Sequence, residues 1–138
     1  MISRGTRASF AFCCYCLAAQ AFAQTLTVDP GAAEALLRAE LDPSKIALNS
    51  DVCVKADGEP LASGVVRRLQ QSGIKLADSG RNDCPAEIDL GRFSFRPELG
   101  TYEMRFSSQL FAGSWVAVLK HFDDGWHVVS TYHVGVWL

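Results

Sequence analysis

From Glu87 onward apolar residues recur at every second position, and this pattern constrains the fold more than any other feature of the chain. A period of two puts alternate side chains on opposite faces, so a run of this length reads as sheet rather than helix. Ile88 and Leu90 alternate with charges, then Phe93 and Phe95 alternate with Arg92, Ser94 and Arg96. The apolar phase slips by one residue at Gly91, the mark of a β-bulge. Pro97-Glu98-Leu99-Gly100 turns the chain, and Tyr102, Met104 and Phe106 resume the alternation. Trp115 to Phe122 and Trp126 to Trp137 are the last two strands, with Asp123-Asp124-Gly125 between them as a hairpin signal.

Before residue 87 the period is helical. Asp29-Pro30 offers an N-cap and a proline at the first helical position. Leu36, Leu37 and Leu41 share one face, and Asp42-Pro43 ends the helix near residue 41. Val52-Cys53-Val54 reads as a brief strand ending at Asp57-Gly58. A second helix is expected from about Pro60, with Leu61, Val65 and Leu69 on one face and Gly73 closing it. Ile74 to Ala77 reads as a short strand, and Asp78 to Pro85 as a loop. Early helices and late strands predict an α+β fold: two short N-terminal helices on a curved, mainly antiparallel sheet that ends in a four-strand meander.

The first 23 residues read as a secretory signal peptide. Arg4 and Arg7 form a positive start, Ala8 to Ala19 an uncharged and mostly apolar stretch, and Ala21-Phe22-Ala23 an A-x-A site before Gln24. No small-residue lipobox precedes Cys13, Cys14 or Cys16, which leaves ordinary cleavage. The expected mature chain is a single exported domain of residues 24–138. Its 13 basic residues fall to 11 against 15 acidic, a formal charge of −4. Five cysteines become two, so Cys13-Cys14-Tyr15-Cys16 is discarded with the leader. An even count in an exported chain points to a disulfide, and Cys53 and Cys84 have only each other.

This charge balance argues against a nucleic-acid binder, which would show a basic face. No apolar run of about 18 residues is available for a membrane span. The chain lacks G-x-S-x-G, a P-loop, G-x-G-x-x-G and H-E-x-x-H, and nothing in it calls for a cofactor. His121, His127 and His133 all fall in the last hairpin. A two-residue Asp124-Gly125 turn sets His121 opposite Val128, whereas a three-residue loop sets it opposite His127, about 5 Å away. In the second register His121 and His127 are candidates for acid–base work or a shared metal, although no third ligand stands out. His133 is expected on the same face as His127, about 20 Å along the strand.

The late aromatics are too many for one sheet face. With Tyr102, Met104 and Phe106 inward, Val116, Val118 and Phe122 oppose Trp115, Ala117 and Leu119 on a strand apolar on both sides. Such a strand is covered twice, or its second face meets a ligand or partner. Val134 to Leu138 is likewise too apolar for a solvated tail and reads as paired or as an edge offered to another chain.

The order of elements from Asp29 to Trp137, with Gly91 as the bulge and Asp123-Asp124-Gly125-Trp126 as the late hairpin, resembles the nuclear transport factor 2-like superfamily and, more loosely, cystatin-like folds. The resemblance implies a curved sheet around a cone-shaped pocket, used for small-molecule enzymes or for binding, and dimerisation through the sheet. No catalytic motif of the superfamily carries over to particular positions.

Two functions are expected in order. The first is a periplasmic or secreted non-enzymatic binding protein of inhibitor, immunity or accessory type. It would act by occluding another protein, with Trp115, Trp126 and Trp137 as aromatic anchors, or would pair with itself through a sheet face or edge. The alternative is a small pocket enzyme or ligand carrier with His121, His127 or His133 as acid or base and Tyr102 or Tyr132 as donor.

Overall fold

The computed structural model describes residues 25–26, 28–110 and 113–135. The expected signal peptide, residues 1–23, and its expected cleavage site lie outside these residues, as does Trp137. Among the described residues, two α-helices and a mostly antiparallel sheet form an α+β fold. The elements are β1 (Thr25–Leu26), α1 (Pro30–Glu40), β2 (Val52–Ala56), β3 (Glu59–Pro60), α2 (Ser63–Gln71), β4 (Ala86–Arg96), β5 (Thr101–Ser108), β6 (Gly113–Phe122) and β7 (Gly125–Gly135). The sheet order is β3-β2-β4-β5-β6-β7, with β1 pairing the second half of β4.

Helix α1 starts as its sequence dictates. The Asp29 carboxylate accepts from the Gly31 and Ala32 amides at 2.8 and 3.0 Å, and Pro30 occupies the first turn. Ala32, Ala33, Leu36 and Leu37 form its buried stripe. A Cβ at Gly31 would stand 3.1 Å from Trp126 Cδ1, so the first turn sits directly on the β7 tryptophan.

The second helix starts later than the expected Pro60. Asp57 and Gly58 both take positive φ, 52° and 81°, a conformation that suits a two-residue hairpin turn. The turn folds Glu59 and Pro60 back on Ala56 and Lys55 as β3, an edge position where proline is tolerated. Only then does α2 begin at Ser63, and Val65, Val66 and Leu69 face the core. The expected Ile74–Ala77 strand is reduced to one parallel bridge, Leu76 with Val52. The Val52 amide donates to Lys75 O, and Val52 O accepts from the Ala77 amide.

Strand β2 pairs with β4 in parallel, so β2, α2 and β4 form a crossover unit. The Cys53–Cys84 disulfide closes it, with the Cα atoms 5.6 Å apart. Beyond β4 the meander is antiparallel throughout. At Gly91 the expected bulge is present: Leu90 pairs with Phe106 and Phe93 with Met104, leaving Gly91 and Arg92 opposite Arg105 alone. A Cβ on Gly91 would come within 2.7 Å of Arg105 O, so glycine is required by close approach.

The core lies between the helices and one sheet face. Leu36, Leu37, Leu69, Leu90, Phe93, Met104 and Leu119 are all almost fully buried there. The Phe93 ring stacks on Tyr102 at 4.6 Å, and Trp126 meets Tyr102 edge-on at 4.6 Å. Glu34 ties the helices together across their outer side, accepting from Arg38 of α1 and Arg68 of α2. Among the described residues no helix is long and apolar enough to cross a membrane.

Candidate binding surface

Register in the last hairpin decides what the histidines can do. Asp123 and Asp124 form the turn, Phe122 pairs with Gly125, and His121 pairs with Trp126. Neither expected register is adopted. Gly125, at φ 120°, takes the first strand position, which few other residues would tolerate. Trp126 then turns inward against Phe93 and Tyr102, and a slip of one residue would expel it from the core.

His127 consequently pairs with Lys120 and lies on the face opposite His121. The two do not share a metal or a proton. His121 packs edge-on to Trp126 at 4.9 Å, whereas His127 Nε2 is 2.8 Å from Asp124 Oδ1. That hydrogen bond holds the Asp124 carboxyl below its ordinary value. His133 does not share a face with His127 either, because an extra residue, Val129, sits between Val128 opposite Leu119 and Ser130 opposite Val118. His133 instead packs edge-on to Trp115 at 4.7 Å. All three histidines are exposed. Among the described residues no three of His, Cys, Asp or Glu gather as a metal site.

The tryptophans sit on the helix side of the sheet. Trp115 stacks on Phe106 at 5.5 Å, and Trp126 lies beneath the first turn of α1. Both are half-buried against the core. Trp137 is outside the described residues. The space between helices and sheet is filled by Phe93, Tyr102, Met104, Phe106 and Leu119. Two clefts lie at the periphery of this core. One of about 250 Å³ opens between Val28, Pro30 and the β2–β3 hairpin, and another of about 230 Å³ between Leu41, Ile46 and Ile74.

The opposite sheet face is the notable surface. Strand alternation turns Val116, Val118, Lys120 and Phe122 of β6 to that side, together with Glu103 and Arg105 of β5 and Ser130 and Tyr132 of β7. Val116 is buried between its cross-strand partners Arg105 and Tyr132, but Phe122 and Tyr132 are 43% and 45% exposed. The Arg96 guanidinium pairs with Glu103 at 3.1 Å. Lys120 instead holds its ammonium 5.5 Å from the Phe122 ring.

A groove of about 230 Å³ crosses the same face near the bulge, lined by Asp89, Gly91, Arg105, Ser107, Ser114 and Val134. Within it Asp89 Oδ1 is buried without a hydrogen-bond partner. Burial, then the neighbouring Glu87 charge, raises the Asp89 carboxyl above its ordinary value.

The two-sided character of β6 is legible in the sequence, because alternation alone assigns Val116, Val118 and Phe122 to one side. The exposure of Val129 was not legible there, whereas that of Val134 fits the edge reading of the chain's end. Only the broken alternation at Val128-Val129 hinted at a bulge there. Among the described residues the fold is a small disulfide-closed α+β unit with helices on one sheet face and none on the other. The chain matches no protein family, no curated protein and no solved structure.

Proposed function

We propose that this chain is a small exported, non-enzymatic binding protein that occludes another protein through the open face of the β4–β7 meander. The observation that carries the reading is the two-sided apolar strand β6. Its Trp115, Ala117 and Leu119 complete the core, while Val116, Val118 and Phe122 form an apolar row on the other side. An apolar row ringed by polar and charged groups is the anatomy of a protein-binding surface. Phe122, with Lys120 beside it, is the natural anchor, and Arg105 and Glu103 form the rim. The aromatic role first assigned to Trp115 and Trp126 passes to this face, since both tryptophans are engaged against the core. Export is supported by the leader pattern of residues 1–23 together with the Cys53–Cys84 disulfide.

The pocket-enzyme reading has less support. The interior a pocket would use is filled by Phe93, Tyr102 and Phe106, and the three histidines point into no common cavity. The test is affinity capture from the exported fraction with the wild-type chain and with Val118→Lys and Phe122→Ala. Recovery of one stoichiometric partner by the wild type, lost at least tenfold in both variants with unchanged circular dichroism, is the expected result. A partner retained by both variants, or none at all, would overturn the proposal.

A further inference from the structure

We infer that the open sheet face takes an acidic partner, a protein segment whose carboxylates reach Arg105 and Lys120 on either side of the apolar row. The inference rests on the open face being the protein-binding surface and adds the charge of what it binds. Residues 24–138 carry a formal charge of −4, yet this face offers cations. Its carboxylates are already engaged. Glu87 pairs with Lys55 at 3.1 Å, Glu103 with Arg96 at 3.1 Å, and Asp57 with Arg92 at 3.7 Å. Asp124 lies 2.8 Å from His127 Nε2, and Asp89 has its Oδ1 buried. Glu98 and Asp123 sit in turns beyond the strands. Arg105 and Lys120 are exposed, and among the described residues neither has a carboxylate partner.

The two cations bracket the apolar row. Arg105 is the cross-strand partner of Val116, and Lys120 lies further along β6 with Val118 midway between. At about 3.4 Å per residue and about 4.8 Å between strands, their Cα atoms stand about 14 Å apart. Lys120 holds its ammonium 5.5 Å from the Phe122 ring, so this charge sits beside the exposed aromatic. An extended segment sets every second residue on one side, and four residues of it span about 14 Å. The occupant that fits is therefore an extended segment of the form acidic-x-apolar-x-acidic. Its apolar side chain lies on Val118, and its carboxylates meet the Arg105 fork and the Lys120 ammonium. Local charge decides the attraction, because at physiological salt fields are screened beyond about 8 Å. A second copy stacked face to face fits less well, since it brings cations to cations.

The experiment is an amide-resonance titration of the disulfide-bonded chain of residues 24–138 with a capped Glu-Thr-Leu-Thr-Glu peptide and its Gln-for-Glu and Lys-for-Glu counterparts, from about 0.1 to 10 mM. The acidic peptide is expected to shift Arg105, residues 116–120 and Tyr132. It is expected to bind about fivefold tighter than the glutamine peptide, with that difference lost near ~0.5 M salt. Arg105→Gln/Lys120→Gln is expected to erase the difference with unchanged circular dichroism. Arg67→Gln, which removes an exposed cation from α2, is expected to preserve it. Equal binding of the acidic and glutamine peptides, a preference for the lysine peptide, or an equal loss in Arg67→Gln would overturn the inference. So would the absence of any shift on the open face. Pelleting of the wild type, but not of the double variant, with vesicles of equal parts phosphatidylcholine and phosphatidylglycerol would assign the cations to a lipid surface and overturn it as well. The partner-binding reading is decided separately, by the capture experiment with Val118→Lys and Phe122→Ala.

Discussion

Removal of the Cys53–Cys84 bridge is the sharpest test of how the crossover is held. The bridge joins residues 31 apart in sequence, and it closes a loop containing the β2–β3 turn and all of α2. In the chain-entropy treatment a loop of that length contributes about 3.7 kcal/mol by restricting the unfolded chain. Cys53 is also 98% buried, since its relative exposure is 2%, so Cys53→Ala adds about 1 kcal/mol of lost packing. The double variant Cys53→Ala/Cys84→Ala should therefore lose between 4 and 5 kcal/mol, roughly. That is a large part of the 5–15 kcal/mol, approximately, that holds an ordinary domain together. Urea denaturation of oxidised, reduced and double-variant protein separates the contributions, because the reduced wild type keeps both sulfurs. Reduction should lower the midpoint and raise the m-value, since the unlinked denatured chain exposes more surface. The melting temperature should fall by about 15 °C. A loss below about 1 kcal/mol with an unchanged m-value would refute the reasoning. It would mean that the parallel β2–β4 ladder and the buried Val52, Ile74 and Leu76 hold the crossover unaided.

Other consequences of the packing are open to the same measurements. Gly91→Ala brings a methyl group into Arg105 O and should destabilise the fold by about 2 kcal/mol in urea, with a shifted β4–β5 register visible by hydrogen exchange. Glu34 has its carboxyl lowered, chiefly by the hydrogen bond from Arg68, so its contribution is present above the ordinary value of 4.5 and is lost as pH falls through the lowered one. Glu34→Gln should thus cost about 1 kcal/mol near pH 7, after screening around two half-exposed arginines, and nothing measurable near pH 2. Asp89 has the opposite sign. Its raised carboxyl costs stability above that raised value, and the cost is relieved as pH falls toward 3.8. Asp89→Asn should stabilise the protein by about 0.5 kcal/mol near pH 7, and thermal melts at pH 7 and pH 3.5 should show the gain disappear.

Much of the fold is written in local chemistry. Asp29-Pro30 starts α1 because a carboxylate and a fixed φ act within three residues of each other. Gly91 marks the bulge because only the loss of a side chain lets Arg105 O approach. The sites of error are equally local in origin. Pro60 reads as a helix start, yet the adjacent Asp57-Gly58 turn captures it for a hairpin. Asp123-Asp124-Gly125 supports several turn lengths of similar local energy, so the residues themselves do not choose which histidine faces which.

Periodicity and export logic, read along the chain, determined the α+β class, the four-strand meander, the pairing of Cys53 with Cys84 and the two-sided nature of β6. These rest on spacings within a few residues, or on a count of two. Tertiary structure alone decided the parallel docking of β2 on β4, because pairing across a 30-residue crossover depends on which buried edges meet. It also decided the hairpin register. Burial of Trp126 beneath α1 fixed the parity of β7, and with it the separation of His121 from His127. The exposure of β7 is likewise a property of sheet order: among the described residues it ends the sheet, so a strand that would be buried in the middle shows its side chains to solvent.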